Sequence, residues 1–381
     1  TLMKETKGTH ILNIVCRWLV GLTFIFSGFV KGVDPMGTVY KIQEYMTAWS
    51  IGSFTFEWAL PMAGFLSVAL VTLEFTIGVM LLTNCYRRLT AWVLAGMMLF
   101  FTTTTLIDAI TNKVTDCGCF GEAIKLTNWQ TFWKNVALMV PTVFIFLQRK
   151  QRWNYKRHFE RETLISIVAM ACMIIFAIWN INNEPCIDFR AWKVGNQMMP
   201  TDEKLEVKNY LVYRNKATGD TMGFDSKRLM DYCKDAEWVA QWEWDTTYTD
   251  DPYIIKADGF SMLGPDGEDY ARDLLMSDDY LLIATIHHIA DLDPDGIKAL
   301  KSVKTYCENN GIYMVMLCAF GDDVEMFLVD NDLSDMEYYV TDNKAIETML
   351  RSNPGFCLMQ KAKVMGKWHY RNIRNLFNYN L

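Results

Sequence analysis

No internal repeat and no low-complexity tract runs through this sequence, which excludes a repeat array. Histidine is scarce, 5 in 381 residues, and none stands in the same loop as the two most closely spaced cysteines. The second half lacks concentrated positive charge, so it offers nothing to a phosphate backbone and excludes a nucleic-acid partner. The apolar stretches show neither an inverted repeat nor a pair of broken helices, which argues against a transporter or channel.

What is present divides in two. Residues 1–182 carry a net charge of +6 and the remainder −13, so an apolar, basic half precedes an acidic one rich in Trp and Tyr. Five apolar stretches reach the roughly 20 residues a spanning helix needs: Ile11 to Val30, Trp58 to Leu82, Leu89 to Ile110, Trp129 to Leu147 and Leu164 to Ile181. Lys134 and Asn135 interrupt the fourth, and Pro141 is expected to kink it. The first has too long an apolar run for a cleaved signal peptide, and no small-residue cleavage site follows it. The expected fold class is a membrane α-helical bundle followed by a soluble α/β domain. Basic loops mark the cytoplasmic side. Arg87 and Arg88 follow span two, and Arg149, Lys150, Arg152, Lys156, Arg157 and Arg161 lie between spans four and five. The N-terminus is therefore expected inside, with the loops after spans one and three and the whole acidic half outside.

The loop after span three reads TDCGCFGEA, with Cys117 and Cys119 one glycine apart. Zinc usually takes four ligands, with two to four residues between paired cysteines, and this loop supplies only two at the wrong spacing. A structural disulfide closing so small a ring removes almost no chain entropy. Such a bridge would be strained and exchangeable, and Gly118 supplies the backbone freedom that the ring needs. Reversible dithiol–disulfide chemistry is the reading these residues favour, on a side of the membrane that permits it. Arg17, about 9 Å in from the cytoplasmic end of span one, and Glu74, about 12 Å in on span two, are expected to pair. They would form a quinone or proton site, or else a structural ion pair. Lys31, Asp34, Asp108 and Asp116 are expected around the loop. Lys31 would favour a thiolate, and Asp108 and Asp116 would oppose it or carry protons.

The run CRWLVGLTFIFSGFVKGVDP, the glutamate in span two and DCGCFG ahead of NWQTFWKN resemble the DoxX and MauE-like membrane proteins, over roughly residues 10 to 182. The resemblance implies a four-helix membrane domain, here 1–150, linked to thiol oxidation of exported proteins, with Cys117 and Cys119 as the redox pair. It also implies a bacterial inner-membrane location and suggests membrane quinone as electron acceptor. A basic loop and fifth span would follow over 151–183.

Residues 184–256 read as a compact α/β segment, with strands at NYLVYRN and AEWVAQWEW and a short helix near Arg228 to Cys233. Cys186, just past span five, is a candidate resolving thiol. Over 257–381 the order is a buried strand in DYLLIATIHHI, a helix capped near Asp293 and ended at Gly311, the strand IYMVMLCAF, a helix in DNKAIETMLRS and a closing hairpin. This order resembles thioredoxin-like domains of the TlpA and peroxiredoxin type, and NPGF falls at their cis-proline loop, which makes Pro354 the candidate. Where that family keeps CxxC, this sequence has ADLDPDG, so the domain has no nucleophile for exchange. His287 and His288 are adjacent and cannot serve one site from a strand. Cys318 reads as core, whereas Cys307 and Cys357 fit either a core or a functional role. The expected function is a membrane thiol–disulfide redox protein. Its acidic domain would dock an extracytoplasmic client or a thioredoxin-like redox partner, and the spans would contact membrane lipid. The rival is a membrane-anchored scaffold without catalysis, which would tolerate loss of both cysteines.

Overall fold

A computed structural model of the protein describes residues 7–51, 54–114, 118–124, 126–150, 159–200, 208–250, 255–257, 259–321 and 323–379. Asp116 and Cys117, and Arg152, Lys156 and Arg157 of the basic loop, lie outside the described residues.

Among the described residues five helices are long and apolar enough to cross a membrane. They are α1 (Lys7–Val33), α3 (Ala63–Thr83, continuing a 3-10 turn over Glu57–Met62), α4 (Arg87–Thr111), α5 (Asn128–Leu147) and α6 (Phe159–Ile181). Helix α5 runs unbroken through Lys134, Asn135 and Pro141, and a capping box between Thr127 and Gln130 starts it. Between α1 and α3 lie a helix that the apolar pattern did not announce, α2 (Pro35–Ala48), and a small hairpin of β1 (Ser50–Ile51) and β2 (Phe54–Thr55). Helix α2 begins as it does because the Asp34 carboxylate accepts the Gly37 N–H at 3.1 Å and Pro35 fills the first turn.

Helices α1 and α3 pack closely through a small residue. A Cβ at Gly28 would lie 2.8 Å from the Phe75 backbone nitrogen. This contact sets the register of the two helices. Gly28→Leu is therefore expected to lower bundle stability by about 1–3 kcal/mol, read as the thermal midpoint in detergent. Helix α6 is tied to the others at both ends. Glu162 accepts the Tyr86 N–H at 2.9 Å, and Asn180 donates to the Gly32 carbonyl at 3.1 Å.

Among the described residues the second half holds two sheets. The smaller orders β4 (Thr221–Asp225), β3 (Lys208–Asn215) and β5 (Trp242–Asp250), with α7 (Ser226–Tyr232) and α8 (Ala236–Gln241) inserted. The run AEWVAQWEW is thus not one strand. Asp235 accepts from the Glu237 N–H at 3.0 Å and starts a helix, and the chain turns to strand only at Trp242. The larger sheet follows α9 (Ala271–Leu275) and comprises β6 (Leu281–Ile286), β7 (Tyr313–Ala319), β8 (Tyr338–Thr341), β9 (Gly355–Gln360) and β10 (Lys363–His369). Helices α10 (Pro294–Asn310), α11 (Val324–Asp330), α12 (Asn343–Met349) and α13 (Ile373–Phe377) complete it. The strand order is β10-β9-β6-β7-β8, with β6, β7 and β8 parallel and β9 and β10 antiparallel.

Every residue of β6 is buried because both sheet faces are covered. Leu281 and Ile283 face a core shared with Met262, Leu275 and Met349, whereas Leu282, Ala284 and Ile286 face α10. The stretch 184–256 does not form one unit. Trp192, Met198 and Met199 are fully buried in the first of these cores, because apolar side chains that cannot cover the small sheet are better buried on the large one. Cys318, Cys307 and Cys357 are all core residues, and burial pushes the Cys307 and Cys357 thiols up to about 12.

Candidate functional site

On α1, Ser27 and Lys31 are four residues apart and share one face. Lys31 stands near the helix end, and its side chain leans back toward the helix N-terminus to reach α3. There its Nζ meets Glu74 Oε1 at 2.7 Å, with the side chains only 8% and 2% exposed. The pairing of Arg17 with Glu74 expected from depth does not occur. Arg17 lies 14 residues before Lys31, about 21 Å along the helix, and donates instead to the Leu81 and Leu82 carbonyls at 2.8 and 3.2 Å. It caps the end of α3, where a cation complements the helix dipole.

The Ser27 hydroxyl lies 2.8 Å from Glu74 Oε2 and 2.8 Å from the Cys119 carbonyl oxygen. With one proton for two acceptors, it serves one of them at a time. Through this hydroxyl the cysteine loop is connected to the buried ion pair. Phe120 packs edge-on to Phe26 at 5.4 Å, with the Lys134 ammonium 4.3 Å from its ring centroid. Gly118 has φ +60, and a Cβ there would meet Lys41 Cγ at 3.0 Å. Residues 118–120 are thus fixed against α1, α2 and α5.

These groups stand at the wall of a cavity of about 520 Å³, lined by the inner face of α2 and by α1, α3, α4 and α5. Its surface is mostly apolar, with Phe24, Leu70, Met98, Phe101 and Leu138 among the walls, and Ser27, Lys31, Glu74 and Cys119 supply polar atoms. Asp108, fully buried at the end of α4, accepts from the Tyr45 hydroxyl of α2 at 2.6 Å through Oδ2. Its Oδ1 is buried without a hydrogen-bond partner among the described residues.

The other expected site residues are dispersed. Asp34 also lines the cavity, but its carboxylate is held in an ion pair with Arg351, with Oδ2 2.6 Å from Nη2 and the Nε 3.0 Å from both oxygens. Burial alone would raise the Asp34 pKa, but Arg351 and Arg190 outweigh it and hold the carboxyl below its ordinary value. Cys186 is exposed beyond α6, and its backbone N–H donates to Asn180. The Asn353–Pro354 peptide bond is cis, immediately before β9. His287 is buried with no hydrogen bond to either ring nitrogen among the described residues, whereas His288 is exposed. Burial first, then Arg351, depresses the His287 imidazole to about 3.

Behind this lies a buried charge network at the junction of α6 with the large sheet. Arg190 binds Asp188 at 2.8 Å and Glu184 at 3.2 Å, and Lys367 binds Asp188 at 2.6 Å. Desolvation of Asp188 is outweighed by Lys367 and Arg190, which hold its carboxyl far below the usual range. Among the described residues no group of three or more His, Cys, Asp or Glu is arranged to hold a metal ion.

Sequence reasoning missed Ser27, Tyr40, Tyr45 and Arg351. Only Ser27 carried a signal, its i,i+4 spacing from Lys31. Residues 9–148, which take in all but the first two residues of α1 and the whole of α5, match the family model described as methylamine utilisation protein MauE. No curated protein matches the chain, and no solved structure does.

Proposed function

From a helical bundle similar to MauE, we propose a membrane thiol–disulfide redox protein in which Cys117 and Cys119 exchange electrons with an extracytoplasmic protein. The observation that carries this reading is the hydroxyl bridge of Ser27 between the Cys119 carbonyl and Glu74, at the wall of an apolar cavity. A loop built only as a turn has no need of that connection. Arg87, Arg88 and Arg149 lie at the opposite end of the bundle from the cysteine loop, which supports a cytoplasmic face there.

In the exchange, a client thiolate attacks one sulfur of the Cys117–Cys119 disulfide. The S–S bond breaks, the electron pair leaves on the other cysteine, and a mixed disulfide forms. A second client thiolate attacks the client sulfur of that bond and releases an oxidised client and a reduced CGC pair. Two electrons and two protons must then leave the pair. Ser27 orients the Cys119 backbone, and the Glu74 carboxylate, paired with the Lys31 ammonium, provides a place to hold a proton within reach of it. The cavity suits a membrane quinone, whose apolar tail its walls would accept and whose carbonyl oxygen Ser27 and Lys31 would hold. Such a group takes up two electrons and two protons when bound.

The larger domain is read as thioredoxin-like and without catalysis. The strand order β10-β9-β6-β7 with a cis proline before β9 supports this reading, and ADLDPDG in place of CxxC removes the nucleophile. Its acidic surface would favour a basic client. The test is mass-resolved alkylation of membranes before and after reduction and reoxidation. A reversible Cys117–Cys119 disulfide, abolished by Cys119→Ser, is the expected result. Cysteines that never change state would leave a scaffold.

A further inference from the structure

The larger domain does not present its proline-turn face to solvent. That face, made by the end of β6 and the turn before β9, is pressed on the outer side of α2. Arg351 grips Asp34 with a bidentate pair whose side chains are 5% and 12% exposed. The His287 ring stacks on Tyr40, with centroids 6.0 Å apart and planes inclined by 24°, and the Arg351 guanidinium lies 5.4 Å from the other partner of that stack, the Tyr40 ring centroid. Further along α2, Lys344 approaches Glu44 at 3.7 Å, Glu44 holds Lys41 at 2.8 Å, and Lys41 lies against Gly118. Two side chains therefore separate the domain from the cysteine loop.

Helix α2 has two occupied faces. Thr38, Lys41 and Tyr45 line the cavity, Tyr40 holds the domain, and Asp34 at the helix cap does both. Disulfide exchange needs the attacking sulfur to come within bonding distance, about 2.05 Å, of a loop sulfur. A small thiol can reach a partly exposed Cys119, but a folded protein must bring a whole surface to the same place. The α2 side of that approach is already filled.

We infer that the larger domain is an intramolecular occupant of the α2 ledge, latched by Arg351–Asp34 and His287–Tyr40, and that it excludes protein thiols from the CGC loop until the latch opens. The partner it excludes is a dithiol protein that docks beside the loop, including one of the same fold offering the same proline-turn face. This rests on the redox reading above, since exclusion matters only if the loop exchanges with proteins. The charged part of the latch is the stronger one. Removing the arginine leaves a buried Asp34 without its partner, and unpaired buried charge is what proteins tolerate least. Opening the domain lets that carboxylate return to water.

The test uses the full chain in proteoliposomes under reducing conditions. Alkylation of the CGC peptide is followed with N-ethylmaleimide and with a polymer-linked maleimide of protein size, in the native chain, Arg351→Gln and Lys344→Glu. Lys344 is largely exposed, so its reversal repels Glu44 without endangering the fold. The expected result is a polymer-to-small rate ratio that rises about tenfold or more in Arg351→Gln and by less in Lys344→Glu, because labelling follows the open population. An unchanged ratio in both variants overturns the inference. Hydrogen exchange over α2 reads the latch without any cysteine chemistry. Exchange about tenfold faster in Arg351→Gln supports the latch, and unchanged exchange overturns it. Failure of the redox reading shows separately, as a CGC peptide whose reaction with N-ethylmaleimide is the same with and without prior reduction.

Discussion

Glu74→Ala is expected to cost the bundle about 3–5 kcal/mol, because it leaves the Lys31 ammonium buried with its carboxylate partner gone. Redox cycling of the CGC pair should fail in the same variant. Stability loss alone would not separate a working carboxylate from a structural pair, but the double variant Lys31→Met with Glu74→Leu does. Replacing a buried pair by apolar residues of similar volume is often neutral or stabilising, so the thermal midpoint in detergent should return close to the native value. If cycling returns with it, the pair only holds α1 to α3. If stability returns and cycling does not, the carboxylate and ammonium take part in moving protons, as proposed.

Acidification is expected to loosen the larger domain from α2, through His287. The imidazole is neutral in the folded chain, depressed to about 3 by burial and by Arg351, against an ordinary value of 6.5. Below 6.5 the released or unfolded state binds a proton that the docked state refuses. The contribution is therefore complete above pH 6.5 and is lost as pH falls from 6.5 toward 3. Its size is roughly 3–5 kcal/mol for a shift of this kind in a buried group. The titratable groups facing the ring are Tyr40, Arg351, His288 and Arg190, all without negative charge at these pH values, and the Leu350 backbone, which favours the protonated ring, is outweighed by burial. Glu347 works the other way. Burial outweighs the pull of Arg351 and Lys344 and raises its carboxyl to about 7, so the folded state holds a proton that the unfolded state releases between about 4.5 and 7. Its contribution improves as pH falls across that window. His287→Phe keeps a ring against Tyr40 and has no nitrogens to leave unpaired. It should be at least as stable as the native chain at pH 7 and lose most of the weakening between pH 6.5 and 4 in thermal melts. An unchanged pH profile in His287→Phe would assign the acid sensitivity to another group.

The five spans were legible because each is a run of apolar residues at bilayer length, and the parallel strands because Leu281–Ile286 and Tyr313–Ala319 are apolar but for Thr285. Helix α2 announced itself only by Asp34-Pro35, a cap and a first-turn proline that a search for apolar runs passes over. Short elements escaped too. Strand β8 has four residues, too few for a period to show. At the site, charge depth misled. Counting from the ends of apolar runs put Arg17 opposite Glu74, but the close contact at Gly28 fixes the register and brings Lys31 there instead. Nothing local in the sequence could reveal Arg351 and Asp34, 317 residues apart, because each is an ordinary surface charge until the two domains meet.

Arg190, Asp188, Glu184 and Lys367 are joined at 2.6 to 3.2 Å, with side chains at most 14% exposed. Dissolved ions act over a Debye length of about 10 Å at 0.1 M and still about 3 Å at 1 M, and they cannot enter between atoms already in contact and out of solvent. The root of the larger domain is thus indifferent to ionic strength, while the half-exposed Lys344–Glu44 pair at its rim is open to screening. In brine the domain would slacken at its edge and stay anchored at its base.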